Sequence, residues 1–254
     1  MNWLFLRNSL RMALAGIAVL VVTLLASSLP HAAESMIRVG DFSRLTPGGP
    51  LPAVWRPLTF KKIKQHTRYR FVDDNGQTVV QADSRNSASG LIRKVSIDPR
   101  LFPHITWRWK VDSVYAKGDV SRKNGDDYPA RIYITFAYNP DQVGFFEKAK
   151  YEAARLMHGD TLPMATITYI WANRAPVGSI VTSPYAYQSK MVVVQSGSTQ
   201  AGQWREEKRD IYADYKKAFG REPTLISGVA IMTDSDNTGE SARAWYGDII
   251  FSAQ

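Results

Sequence analysis

The sequence predicts an all-β protein: an antiparallel β-sandwich of jelly-roll or galactose-binding-like type carrying two short α-helices. Three observations predict it. From Arg38 onward, short runs rich in Val, Ile, Thr and aromatics alternate with turn-forming residues. Several of these runs show the period-two alternation of a half-buried strand. An Asn-Gly pair, Asn75-Gly76, sits between two such runs, where positive φ is readily adopted, and it marks a hairpin.

That hairpin joins Tyr69–Asp73 to Thr78–Ala82. The further strands expected are Leu91–Ile97, Ile105–Val111, Ala130–Tyr138, Ala165–Trp171, Met191–Gln195, Leu225–Thr233 and Trp245–Phe251. Val229-Ala230-Ile231-Met232 is apolar on both faces, which places it in a central strand covered on both sides. The first helix is expected from an Asn139 cap and Pro140, through the stripe Phe145, Ala149, Ala153 and Leu156, to Gly159. The second runs from an Asp210 cap through Ile211, Tyr215 and Phe219 to Gly220. With no repeat, heptad or long linker, residues 34–254 read as one domain behind the flexible segment Thr46–Pro50.

Residues 1–33 have the layout of an export signal. Arg7 and Arg11 precede the apolar stretch Met12–Ala26, and small residues with Pro30 follow near Ala33. The stretch falls short of the roughly 20 residues that span a bilayer, so a periplasmic or secreted protein is expected, with membrane contact only through this segment if it stays uncleaved. Removing it lowers the formal charge from +9 to +7. The remaining Lys and Arg are spread thinly, with Lys61-Lys62-Ile63-Lys64 the densest cluster, which argues against nucleic acid as a partner. The chain has no cysteine, which excludes disulfides and thiol chemistry.

Two acidic motifs stand out: Gly125-Asp126-Asp127-Tyr128 and Asp234-Ser235-Asp236-Asn237-Thr238-Gly239, each next to a strand. Crowded carboxylates need a counter-charge. Alternation after the first motif puts Ile132, Ile134 and Phe136 inward and Arg131, Tyr133 and Thr135 on the other face. Asp126, Asp127, Arg131 and Tyr133 thereby share one surface that could hold a sugar or polyol, with Trp171 as a stacking face. The competing reading is an Asp–Arg pair that pins the loop. The second motif is oxygen-rich as Ca²⁺ requires, with Asp234, Asp236 and Asn237 as ligands, but it lacks the closing Glu of an EF-hand and reads equally as a polar turn. Trp107 and Trp109 share the face of Ile105 and Val111 and are assigned to the core.

Signatures of known chemistry are absent: no G-x-S-x-G, Walker loop, H-E-x-x-H or dinucleotide fingerprint occurs. His66, His104 and His158 lack metal-ligand spacing. Glu206, Glu207 and Asp248 are the candidates for a paired-carboxylate glycosidase, which needs only spatial proximity.

The combination Trp107-x-Trp109, Gly125–Tyr133, Tyr169-x-Trp171, Trp204-Arg205-Glu206-Glu207, Asp214-Tyr215 with Phe219-Gly220, Asp234–Gly239 and Tyr246-Gly247-Asp248-Ile249 resembles an uncharacterised bacterial family of exported proteins, domain of unknown function three thousand and forty-seven. The resemblance spans Arg38 to Phe251 and implies no catalytic residues, because the family has no assigned activity. The C-terminal part is also similar in architecture to jelly-roll carbohydrate-binding modules. The expected function is an exported, non-catalytic module binding a glycan or similar polar ligand. A carboxylate hydrolase or lyase and a structural envelope protein are the alternatives.

Overall fold

The computed structural model describes residues 36–142, 144 and 165–253. The export segment therefore lies outside the described residues. The first helix does so from Val143 onward, apart from Gly144; within the described part, Asn139 Oδ1 accepts from Asp141 N in a 3₁₀ turn at Pro140–Gln142. No helix among the described residues is long and apolar enough to cross a membrane.

Among the described residues, thirteen strands form two sheets. The first contains β1 (Met36–Gly40), β3 (Arg68–Asp74), β4 (Gln77–Arg85), β6 (His104–Val111), β11 (Arg205–Asp210) and β13 (Ser241–Ser252), in the order β11-β6-β13-β4-β3 with β1 also on β13. The second contains β2 (Trp55–Leu58), β5 (Ala88–Ile97), β7 (Arg131–Phe136), β8 (Ala165–Ala172), β9 (Ile180–Thr182), β10 (Ser189–Ser196) and β12 (Ile226–Asp234), in the order β2-β5-β12-β7-β8-β10-β9. All nine expected strands are present. The β3–β4 hairpin turns through Asn75 and Gly76, both at positive φ, as the pair requires.

Aromatic side chains join the sheets. Trp107 and Trp109 of β6 meet Tyr169 and Trp171 of β8, with Trp107 stacked on Tyr169 at 5.0 Å and Trp109 tilted on Trp171 at 6.1 Å. Both β6 tryptophans are buried, as their alternation indicates. β12 lies between β5 and β7, and Val229–Met232 is buried on both faces. Its inner residues, Val229 and Ile231, belong to the inter-sheet core.

One pairing departs from the antiparallel expectation. β10 runs parallel to β8, because residues 173–188 carry the chain out to the edge strand β9 before it returns between them. Four strands have no signal in the alternation pattern. β2 contains Pro57 and lies at an edge, where its missing N–H is tolerated. β11, Arg-Glu-Glu-Lys-Arg-Asp, is an edge strand whose charges oppose further pairing. β1 and β9 are short and paired to a single neighbour each.

Helix α1 (Ile211–Phe219) follows β11 directly. Asp210 Oδ1 accepts from Ala213 N at 2.8 Å, and Gly220 ends the helix at φ 67. Tyr215 packs on Phe136 at 4.4 Å, which fixes the helix to β7. Asp210→Ala should cost about 1 kcal/mol in urea unfolding, the usual value of a lost N-cap.

Candidate functional site: a cavity floored by the seven-stranded sheet

Because β7 pairs antiparallel with β12, the loop entering β7 and the loop leaving β12 emerge at the same end of the sheet, with Arg131 opposite Met232. The two acidic motifs therefore meet. Asp127 Oδ2 accepts from Thr238 N at 2.6 Å, and its Oδ1 accepts from Asn237 N at 3.3 Å and Asn237 Nδ2 at 3.0 Å. Ser235 anchors the second loop from behind, donating its N–H to Ser87 O at 2.8 Å with its hydroxyl 2.8 Å from Ser84 Oγ.

Arg131 lies between the motifs and is 5 % exposed. Its Nε donates to Asp234 Oδ1 at 2.8 Å while Nη2 pairs with Asp234 Oδ2, a two-pronged contact suited to the planar guanidinium. Nη1 lies 3.8 Å from Asp126 Oδ2, and the rings of Tyr128 and Tyr133 flank the guanidinium at 4.8 and 5.6 Å. Burial works against its charge, but Tyr133, Asp126, Tyr128 and Asp127 outweigh burial and hold its pKa above the ordinary arginine value.

The remaining carboxylates behave differently. Burial pushes Asp126 above the usual carboxylate range against the pull of Arg131 and a 3.0 Å hydrogen bond from the Tyr128 hydroxyl, and Asp127 and Asp236 push it further. Asp236 is raised first by burial and then by the charge of Asp127. Tyr185, whose hydroxyl lies 2.6 Å from Asn237 Oδ1, is raised by burial and then by Asp126, Asp236 and Asp127. The polar end of the site is thus a region of negative potential.

These groups border a cavity of about 600 Å³, within the range of small-molecule sites. Its floor is the outer face of the sheet: Arg131 and Tyr133 of β7, Thr168 of β8, Met191 of β10 and Met232 of β12. One wall is Phe60–Ile63, between β2 and β3. Tyr185 and Ala186, between β9 and β10, line it from the other edge of the sheet.

The sequence family described as "Protein of unknown function (DUF3047)" matches residues 53–250. The chain belongs to that family. No curated protein matches it in sequence. Among solved structures it is similar to the family 11 carbohydrate-binding module of the cellulosomal cellulase Lic26A-Cel5E of Clostridium thermocellum (9 % identity, 85 % of this chain and 94 % of that one, TM-score 0.43). It is also similar to the K3 adhesin domain of Lys-gingipain from Porphyromonas gingivalis (12 % identity, 85 % and 99 %, TM-score 0.38). A third is endoglucanase 3 of Trichoderma harzianum, from family GH12 (9 % identity, 80 % and 99 %, TM-score 0.38).

Of the residues singled out from sequence in this DUF3047 protein, Asp126, Arg131, Tyr133, Asp234, Asp236 and Asn237 border the cavity; Asp127 does not line it, its carboxylate being taken up by Asn237 and Thr238. Trp171 does not. It is fully buried between the sheets, with Nε1 donating to Gly197 O at 3.0 Å, because its position in β8 has the same parity as the inward Tyr169. The stacking role expected for Trp171 is corrected accordingly. Glu206 and Glu207 are consecutive in a strand and so point to opposite faces. Glu207 accepts from Trp109 Nε1 at 3.2 Å and Gln195 Nε2 at 2.7 Å. Asp248, turned outward at a bulge in β13, accepts from Ser43 N and Oγ at 2.8 and 2.6 Å.

Oxygens of Asp127, Asp234 and Asp236 lie within 4.8 Å of one another, a spacing that invites a cation. The donor set nevertheless fits Ca²⁺ poorly. Both oxygens of Asp127 accept N–H groups, both oxygens of Asp234 face Arg131, and Asn237 Oδ1 meets Tyr185. Ca²⁺ takes six to eight oxygens, roughly 2.3–2.6 Å away, and would have to displace the guanidinium from Asp234. Arg131 supplies the counter-charge of Asp234.

Thr168 and Tyr185 complete the cavity lining and belong to no motif in the sequence, whereas Tyr128, the last residue of the first acidic motif, flanks Arg131. Thr168 was traceable through its alternation with the inward residues Ile167 and Tyr169. Tyr185 arrives only through the parallel excursion of β9 and β10.

The two raised carboxylates give a pH expectation. An acid whose folded pKa exceeds its unfolded value contributes stability below the unfolded pKa, and loses that contribution as pH rises through the folded pKa. At neutral pH an ionised Asp236 therefore opposes folding. Asp236→Asn is expected to raise the melting temperature at pH 7 and to leave it unchanged below the unfolded carboxylate range, as read by calorimetry across pH.

Proposed function

We propose that the protein is a non-catalytic binding module of the bacterial envelope that holds a hydroxylated polar ligand, such as a glycan fragment, in the cavity over the seven-stranded sheet. The observation that carries this reading is the convergence of both acidic motifs, Arg131 and Tyr133 on one cavity large enough for a small ligand. Methionines and Phe60 give the same cavity apolar surface for ring faces, while carboxylate and amide groups at one end accept and donate to hydroxyls. The ion pair of Arg131 with Asp234 fixes both loops before a ligand arrives, so that little ordering remains to be done on binding. Asp236 fits such a site, its carboxylate being disfavoured by burial and by the charge of Asp127.

The export segment at residues 1–33 is the basis for placing the module in the envelope. Retention on immobilised polysaccharides, combined with a melting-temperature screen against soluble oligosaccharides and polyols, tests the reading. A ligand that prefers the native state must raise the melting temperature. Absence of both retention and any shift across the panel would leave the acidic motifs as loop pins in a structural protein.

A further inference from the structure

The charges at the polar end of the cavity do not balance. Asp126, Asp127, Asp234 and Asp236 converge on one buried cation, Arg131. Arg131 is committed to Asp234, with Asp126 next to it, and Asp127 is met by three N–H donors. Among the described residues, no hydrogen bond or ion pair from another residue reaches the Asp236 carboxylate, although it borders the cavity and is half-buried. Lys61 and Lys62 stand on the wall formed by residues 60–63 and are exposed, so solvent and salt screen them.

A second, independent observation comes from the floor. Thr168 is 1 % exposed and lines the same cavity, and its Oγ1 is buried with no hydrogen-bond partner. A buried hydroxyl left unpaired is costly and uncommon in native proteins. Its neighbours across the strands, Tyr133 and Met191, also line the cavity, so Thr168 stands on the cavity floor itself.

We infer that the ligand is an ammonium-bearing, hydroxylated molecule of the amino-sugar class, with its ammonium against Asp236 and a hydroxyl on Thr168. This rests on the binding reading above and narrows it. A neutral sugar would satisfy Thr168 but leave the charge of Asp236 uncompensated. An acidic sugar would bring a like charge to a region already negative. An ammonium supplies the missing cation and makes charge-assisted hydrogen bonds in a partly desolvated setting, where they are strongest.

The test is titration calorimetry of the full chain at mildly acidic pH with three trisaccharide probes: the fully deacetylated glucosamine trimer, its N-acetylated form and cellotriose. The glucosamine trimer is expected to bind about tenfold or more tightly than cellotriose, the value of one hydrogen bond to a charged group. Asp236→Asn should erase that preference. Thr168→Val should weaken the glucosamine trimer and cellotriose alike by several-fold and leave their ratio unchanged. Equal or tighter binding of cellotriose by the wild type, or a preference that survives in Asp236→Asn, would overturn the amino-sugar assignment while leaving a polar-ligand module intact. Failure of all three probes, together with no response to any glycan or polyol in the melting screen, would overturn both.

Discussion

Arg131→Met is expected to destabilise the protein by about 3–5 kcal/mol, because it strands a buried carboxylate without its counter-charge. Asp234 is 1 % exposed and both its oxygens face the guanidinium, so no water can take over that role without opening the loop. Asp126, nearly as buried, loses its nearest cation in the same step. The double variant Arg131→Met/Asp234→Leu should recover much of the loss, since replacing a buried ion pair by apolar groups is far less costly than breaking one. Urea unfolding of the two single variants and the double variant, read as a mutant cycle, checks both statements. A simple sum of the two single effects would mean that Arg131 and Asp234 do not depend on each other.

Trp109→Ala should be of similar size, about 3–5 kcal/mol, but for a different reason. Trp109 has no exposed surface, meets Trp107 edge-on at 5.4 Å and reaches Trp171 in the opposite sheet. Its removal leaves a cavity at the inter-sheet contact and takes away the indole N–H that Glu207 accepts. Glu207 is already raised above the usual carboxylate range, by burial first and against the pull of Gln195 and Trp109. In a domain of this size each kcal/mol corresponds to about 2–4 °C, so a thermal melt resolves the change easily. Trp109→Phe keeps most of the packing and loses the hydrogen bond, and it should fall well short of the alanine effect.

What was legible in the sequence follows from which features are local. Alternation in Ile105–Val111 and in Arg131–Phe136 is a property of consecutive residues, and it placed Trp107 and Trp109 inward and Arg131 and Tyr133 outward. Cap residues Asp210 and Gly220 marked α1 at both ends in the same way. The all-charged β11 carries no apolar rhythm, because only its pairing to β6 makes it a strand. The meeting of the acidic motifs is likewise non-local. It depends on β7 lying beside β12, a neighbour relation that no spacing along the chain specifies. Trp171 shows the limit from the other side: an aromatic beside a polar motif invites a stacking role, and only its parity with Tyr169 in β8 excludes it. Similarly, Asp234–Gly239 has the composition of a calcium loop, whereas the counter-charge of Asp234 comes from Arg131, far back in the chain.

That counter-charge role has its own check. Adding Ca²⁺ after EDTA treatment should leave the melting temperature unmoved, because an ion that does not bind the native state cannot stabilise it. A rise of several degrees would show that the ion displaces Arg131 from Asp234.

The cavity as ligand site is tested most directly by NMR of the methionine methyl groups in the full chain during titration with the glucosamine trimer. Met191 and Met232 lie on the cavity floor, whereas Met36 is exposed at the start of β1. The Met191 and Met232 signals should shift together and saturate at a common ligand concentration, with Met36 unchanged. Binding detected by calorimetry while both floor methionines stay unshifted would place the ligand elsewhere on the molecule and contradict the account.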